Sequence, residues 1–326
     1  MSIESVREDL FVGIDLGGTT TAVGLVSPRG EVLCSQSFAT RVERGPTAII
    51  CEMAERARAL WQERGLLSDQ IGGVGVGSPG PLDPKTGVII TTPNLKWENV
   101  PLQDLLVDQL DKPVLVDNDA VAATFGEWWM GAGRPYRDVV GLTLGTGVGG
   151  GIILDGEVHH GFQGIGGHIG HMVVQAKGRR CSCGNQGCLE AYASASAIVK
   201  RAQEILAEGT GSLLHSIDGP LTSEQIFQAA NQGDDLACQI FDETAYYLAV
   251  GVNNVLNILN PESVVVMGAV ANAGDVLMVP LQKHLSGMAF PSVCEETQVL
   301  FGSLGEMAGV IGAAGLALHH RRLDPS

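Results

Sequence analysis

Two stretches of this chain repeat one pattern. "FVGIDLGGTTTAVGLVSPRGEVL" begins at Phe11, and "VVGLTLGTGVGGGIILDGEVH" begins at Val139. Each reads as an apolar strand, a Gly/Thr turn and a second apolar strand. Each then passes a further turn (Pro28 to Gly30, Asp155 to Gly156) into a third strand. Gly13 matches Gly141, Asp15 matches Thr143 and Gly17 matches Gly145. Such a repeat implies an internal duplication, so the fold must accommodate two similar halves. The competing explanation is two unrelated glycine-rich hairpins that share turn chemistry.

Between and after the copies, helical and strand patterns alternate. Residues 46–64 read as an amphipathic helix opened by Gly45 and Pro46. Residues 72–77 and 113–116 read as strands. Asn118 to Gly131 reads as a helix with N-cap chemistry at its start. Further on, 193–208, 222–231, 234–259 and 305–320 read as helices, and 263–268 as a buried strand. The mixture predicts an α/β architecture in two domains. The first is expected to hold residues 1–120 plus a returning helix at 305–326, and the second residues 121–304.

Composition narrows the partners. With 20 basic and 36 acidic residues, the net charge is −16. That opposes nucleic-acid binding, which needs neutralised phosphates, and it opposes an anionic membrane surface. An acidic chain can still bind an anion through backbone N–H groups. The start, "MSIESVREDLFVGIDLGG", has no signal-peptide pattern, and no run of about 18 apolar residues suggests a membrane span. Seven cysteines, an odd number, fit a reducing cytoplasm better than a disulfide framework.

The glycine-rich turns suit such an anion. In "DLGGTTT", Asp15 is followed by Gly17, Gly18, Thr19 and Thr20. In "LGTGVGGG", the matching residues are Gly145, Thr146 and Gly147. Turns of this kind form anion nests, and two of them could clamp a polyphosphate. Asp15 is a poor phosphate ligand but a suitable outer holder of Mg²⁺. In "LVDNDA", three polar residues, Asp117, Asn118 and Asp119, stand at a strand-to-helix junction. One suffices as a cap, and a carboxylate fixed there can take a proton from a hydroxyl. In "GGHIGHMVVQAKGRRCSCGNQGCLE", Cys181, Cys183 and Cys188 follow His171. Three thiols and one imidazole compose a closed, structural Zn²⁺ site, with a reduced thiol cluster as the alternative. Cys34, Cys51, Cys238 and Cys294 stand apart and read as small buried hydrophobes.

Taken together, "DLGGT", "SPGPLD", "VDNDA", "LGTGVGGG", "GGHIGH" and "CSCGNQGCLE" resemble the ROK family of sugar kinases, from Phe11 to about Leu318. The family lies within the actin-like, hexokinase-type ATPase superfamily. The resemblance implies a two-domain actin-like (ribonuclease H-like) fold with duplicated halves and a zinc-binding loop over 166–190. It implies ATP-dependent phosphorylation of a hexose at its 6-hydroxyl, glucose first. N-acetylmannosamine, N-acetylglucosamine, mannose, allose and fructose follow, and polyphosphate is an alternative donor. The other class it implies is a sugar-sensing repressor, which needs a DNA-binding module ahead of the first strand. Only about ten residues precede Phe11, and their balance is acidic.

The resemblance also assigns roles. Asp119 is the expected general base. Asn118, Gly80 in "GSPGP", Asn94 in "TPNLKW", His171 and Glu190 are expected around the sugar, in a cleft between the domains. His171 would also be a zinc ligand with Cys181, Cys183 and Cys188. His168 stands where the family usually has Glu, and it is expected to touch the sugar near its anomeric end with altered selectivity, the alternative being that it only packs beside the zinc loop. Gly268 is expected near the adenosine, with Met267 replacing the first residue of the usual Gly-Gly pair. A dimer or tetramer is also implied, with helix 234–259 and Trp128/Trp129 as candidate interface or, equally for most of these residues, as ordinary core.

Overall fold

The computed structural model describes residues 9–209, 211–288 and 296–323. Cys294 lies outside them. The chain divides into two compact units, Met1–Arg134 with Glu157–Gly166 and Glu306–Ser326, and Pro135–Gly156 with Gly167–Gly305.

The first unit is built on a sheet of order β3-β2-β1-β4-β8. Its strands are β1 (Leu10–Leu16), β2 (Thr20–Val26), β3 (Val32–Ala39), β4 (Ile71–Ser78) and β8 (Val114–Asn118). β1, β2 and β3 form an antiparallel meander, and β4 and β8 join in parallel. Strand alternation divides the residues between two faces. Val12, Ile14, Leu16, Val74 and Val76 join one core with helices α1 (Gly45–Gln62) and α2 (Leu102–Leu110). The opposite face carries Gly13 and Gly75, and there the final helix, α9 (Ala308–Leu323), lies directly on backbone. A Cβ on Gly13 would overlap the Val310 carbonyl, and one on Gly75 the Ala313 carbonyl. Helix α3 (Asp119–Met130) meets α9 just as closely, through Gly126 against Ala308 and Gly312 against Ala122.

A small sheet, β5 (Leu82–Asp83), β6 (Val88–Thr92) and β7 (Trp97–Pro101), carries the turn that holds Asn94. Neither this sheet nor α2 was expected from the sequence. Its strands are short, and the expected periodicities do not develop over two to five residues.

The second sheet has the order β11-β10-β9-β12-β13. Its strands are β9 (Val139–Leu144), β10 (Val148–Leu154), β11 (Glu157–Val158), β12 (Ser263–Met267) and β13 (Gln298–Phe301). An antiparallel hairpin is again followed by two parallel strands. The repeat seen in the sequence is therefore a repeat of topology. In the second unit Val140, Leu142, Leu144, Val264 and Val266 pack with the helices. These are α4 (Glu190–Ala193), α5 (Ala195–Leu206), α6 (Ser223–Asn231), α7 (Asp235–Leu259) and α8 (Asp275–Ser286).

Several expectations are corrected. The division does not fall at residue 120. Helix α3 packs on α9 and so belongs to the first unit, as do residues 157–166. The helix expected over 193–208 breaks at Ser194, which is extended and caps α5 by accepting from Ala197 N–H at 3.1 Å. Cys238 is exposed, and Cys34 and Cys51 are half-buried. Helix α7 is a core helix of its unit, with Leu236, Ile240, Phe241 and Leu248 all buried. No helix among the described residues is long and apolar enough to cross a membrane.

The α3–α9 contact is open to test. Gly312→Ala would drive a methyl into the Ala122 carbonyl, and overpacking of this kind costs on the order of 2–4 kcal/mol. The expected outcome is a clear fall in Tm. Gly211→Ala, at an open position with no contact within 4 Å, should leave Tm nearly unchanged.

Candidate active site

In the first unit the site gathers where β1, β4 and β8 end. Asn118 is the N-cap of α3. Its Oδ1 accepts from Ala120 N–H at 3.0 Å and Val121 N–H at 3.3 Å, and its Nδ2 donates to the Ser78 carbonyl at 3.5 Å. That cap commits the side-chain oxygen, so toward a sugar Asn118 can only donate. Asp119 follows at the first helical position. Its Oδ1 accepts from Ala120 N–H at 2.8 Å. Burial of the carboxyl raises its pKa, against the lowering effect of the nearby N–H groups and the Asn118 side chain.

Asp15 lies on the glycine face of β1. A Cβ on Gly309, at the start of α9, would overlap its Oδ2. Burial first, and then the charge of Asp119, push the Asp15 carboxyl up to about 7. Two carboxylates in a desolvated corner, with no countercharge beside Asp15 among the described residues, form a site that a hard cation would relieve.

The first glycine loop is braced from behind. Thr40 donates its hydroxyl to the Gly17 carbonyl at 2.7 Å and accepts from Thr21 at 2.9 Å, and its N–H donates to the Thr19 carbonyl at 2.9 Å. Gly17 N–H is taken by the Thr20 carbonyl at 3.1 Å. Thr19 and Thr20 are exposed. Gly18 lies against Asn94, where a Cβ would sit 3.4 Å from the Asn94 Cβ. The phosphate-loop candidate and this sugar-site candidate are thus neighbours. Gly80 has φ +90, and a Cβ there would sit 2.8 Å from the Thr92 Cβ, so only glycine fits.

Sequence reasoning missed one pair. Asp117 is buried and accepts from Asn118 N–H at 2.7 Å, while its Oδ2 meets His160 Nε2, also at 2.7 Å. The hydrogen bond to Asp117 raises the His160 pKa, against the effect of burial. The His160 carbonyl in turn accepts from Gly166 N–H at 2.8 Å. Two adjacent histidines, His159 and His160, were the available signal. Nothing local pointed to a partner 43 residues away.

In the second unit, the loop Gly145–Gly147 closes on itself through Gly145 N–H to the Gly147 carbonyl at 3.0 Å. It is held by Ala195 N–H to the Gly145 carbonyl at 2.8 Å and by Ser196 Oγ to the Thr146 carbonyl at 2.9 Å. A cavity of about 360 Å³ opens beside Thr146, lined by Ser196, Val199, Lys200 and Gln203 of α5 and by Ser223. Gly268, at φ +95, lies against Leu144, where a Cβ would sit 2.7 Å from the carbonyl oxygen.

Ligand atoms of His171, Cys181, Cys183 and Cys188 lie within 4.8 Å of one another. Cys183 Sγ and Cys188 Sγ are 3.7 Å apart, and Cys181 Sγ is 3.8 Å from His171 Nδ1. Thiolates 2.3 Å from one tetrahedral ion stand about 3.8 Å apart, so the cluster fits a four-coordinate metal. Burial and the neighbouring thiols push Cys188 up to about 12. Three thiolates there require a cation. The His168 and His171 rings lie 6.2 Å apart, and both residues are exposed. Glu190 is already engaged: its Oε2 accepts from Val148 N–H at 3.1 Å and its Oε1 from Ser182 Oγ at 2.7 Å.

Twin sheets, each with a glycine-rich loop at its first hairpin, fit the actin-like ATPase class of fold. A model of the ROK family matches residues 11–320, and the chain belongs to that family. A glucokinase of Halalkalibacterium halodurans is 39% identical over 311 residues, 94% of each chain. A ROK glucokinase from Streptomyces griseus, solved with glucose and AMPPNP, superposes with a TM-score of 0.82 at 33% identity, covering 95% of this chain and 99% of that one. A xylose repressor of Caldicellulosiruptor bescii is 29% identical over 315 residues, 94% of this chain and 78% of the repressor.

The state of Asp15 has a measurable consequence. Its folded pKa lies above the unfolded value, so the folded state binds the extra proton between roughly pH 4 and 7. That contribution is complete below the unfolded pKa and is lost as pH rises through about 7. In metal-free buffer, Tm should therefore fall more steeply with pH in the wild type than in Asp15→Asn.

Proposed function

We propose that the chain is an ATP-dependent hexokinase that phosphorylates glucose at O6. The observation that carries this reading is Asp119, a carboxylate held rigidly at the start of α3 beside Asp15. The family match supports it. Of the three relatives described, the two glucokinases, at 39% and 33% identity, are more similar to the chain than the repressor at 29%.

Asp119 takes the proton of the O6 hydroxyl. Its raised pKa makes it a stronger base than an ordinary carboxylate. O6 then bonds to the γ-phosphorus, the bond from that phosphorus to the bridging oxygen breaks, and ADP leaves. The transferred proton later passes from Asp119 to solvent. The loops 17–20 and 145–147 hold the phosphates with N–H groups and hydroxyls, which lets an acidic protein bind a polyanion. Asp15 would hold Mg²⁺, and the ion would supply positive charge against the phosphates. Gly268 and the cavity beside Thr146 receive the nucleoside end. Gly80, Asn94, Asn118, His168, His171 and Glu190 bind the hexose, His168 near the anomeric carbon.

Zn²⁺ is the metal we assign to His171, Cys181, Cys183 and Cys188, in a structural role. His171 Nδ1 faces Cys181, which leaves Nε2 for a sugar hydroxyl. The repressor reading is less well supported. A net charge of −16 opposes DNA binding, and a sensor has no need of Asp119.

A coupled ADP-release assay with Mg-ATP across a hexose panel tests the enzyme. Asp119→Asn should lower kcat by about 10²–10⁴-fold while the fold is kept. Turnover on no sugar by zinc-replete wild type would defeat the reading. Metal analysis tests the cluster: one equivalent of zinc is expected in wild type, and a Cys183→Ser variant should lose it together with hexose affinity.

A further inference from the structure

The Glu190 carboxylate touches two loops at once. On one side Oε2 accepts from Val148 N–H, immediately after the 145–147 turn. On the other, Oε1 accepts from the Ser182 hydroxyl and, at 3.4 Å, from the Cys181 thiol. The first contact ties the turn to the carboxylate, because a Cβ on Gly147 would sit 2.5 Å from Oε2 and push it aside. Gly147 does not have a positive φ. A side chain there would displace the carboxylate rather than strain the backbone.

Glu190 cannot easily retreat. It opens α4, directly after the buried Cys188 and Leu189, and Tyr192 and Ala193 of the same helix are also buried. Its backbone is therefore fixed, and only the side chain can move. Three donors hold that side chain. If Cys181 is a metal-bound thiolate, its S–H is gone, and Ser182 then holds the Oε1 end among the described side chains.

We propose that Glu190 couples the hexose and nucleotide sites, and that Ser182 is the positioning residue setting the strength of that coupling. This rests on the kinase reading above. A hexose hydroxyl donating to Oε1 fixes the carboxylate. The fixed carboxylate holds Val148 N–H and so holds the 145–147 turn ready for phosphate. By linkage, a nucleotide that orders the turn also aims Oε1 at the sugar, and the two effects are equal in free energy. Ser182 touches neither ligand in this scheme. It acts only by limiting where the carboxylate can swing.

The experiment is calorimetric titration of the zinc-loaded protein with Mg-AMPPNP, without and with saturating glucose, for wild type, Ser182→Ala and Gly147→Ala. In wild type, glucose should tighten AMPPNP binding by about 5- to 50-fold. In Ser182→Ala, with zinc content and Tm unchanged, that gain should shrink to about threefold or less. Gly147→Ala lies in the nucleotide loop, yet it should weaken glucose binding measured without nucleotide. An undiminished gain in Ser182→Ala, or no gain in wild type that binds both ligands, overturns the coupling and leaves the kinase reading standing. A zinc-loaded wild type that binds neither ligand defeats the kinase reading, and the coupling falls with it.

Discussion

The first unit depends on backbone lying directly on backbone. Helix α9 sits on β1, β4 and α3 with its backbone directly on theirs at glycine positions, and Phe11 and Val26 pack with Val310, Ala314 and Leu318 beside them. At such separations a single added methyl would force the helix off the sheet, so its position is closely set. Position matters because of what hangs from it. Gly309 closes over the Asp15 carboxylate, and Gly77 allows the start of α3 close to β4, with the Asp119 Cα 3.3 Å from where its Cβ would be. Both candidate catalytic carboxylates are therefore set by glycines that carry no chemistry.

The same unit shows how an acidic protein prepares an anion site. Its charges are costly where they are buried, and the chain spends its neutral donors on them. Asn118 caps α3, Asp117 is held by a histidine and a backbone N–H, and Thr40 braces the glycine loop. What is left exposed at Thr19 and Thr20 is backbone and hydroxyl, a surface of partial positive charge in a chain whose net charge is strongly negative.

Much of this was legible where the determinants are local. Strand–turn–strand repeats, the Asn118 cap and the cysteine spacing each lie within about two dozen residues, and each appears in the structure as an element or cluster. The rest depends on topology. Asp117 meets His160 and Glu190 meets Val148 across more than forty residues, and no periodicity carries such a pairing. Glu190 was legible as an acceptor, but its donors were not. Likewise Gly73, Gly75 and Gly77 read as a strand, while the reason for glycine at position 75 is the Ala313 carbonyl of a helix more than 230 residues later. The boundary near residue 120 failed for the same cause, since α3 follows β8 in sequence but belongs with α9.

That separation has a consequence for biosynthesis. The ribosome delivers β1, β4 and α3 early, then all of residues 167–305, and only afterwards α9. Until then the α9 side of the first sheet is covered only where the start of α3 meets β4, and Gly13, Gly75, Phe11 and Val26 lack the helix they pack against. The second unit can complete its core first, since its strands and helices are contiguous apart from one excursion. Vectorial synthesis thus reverses the order in which the units are encoded, and the nascent first unit is the stage at which a chaperone has the most to shield.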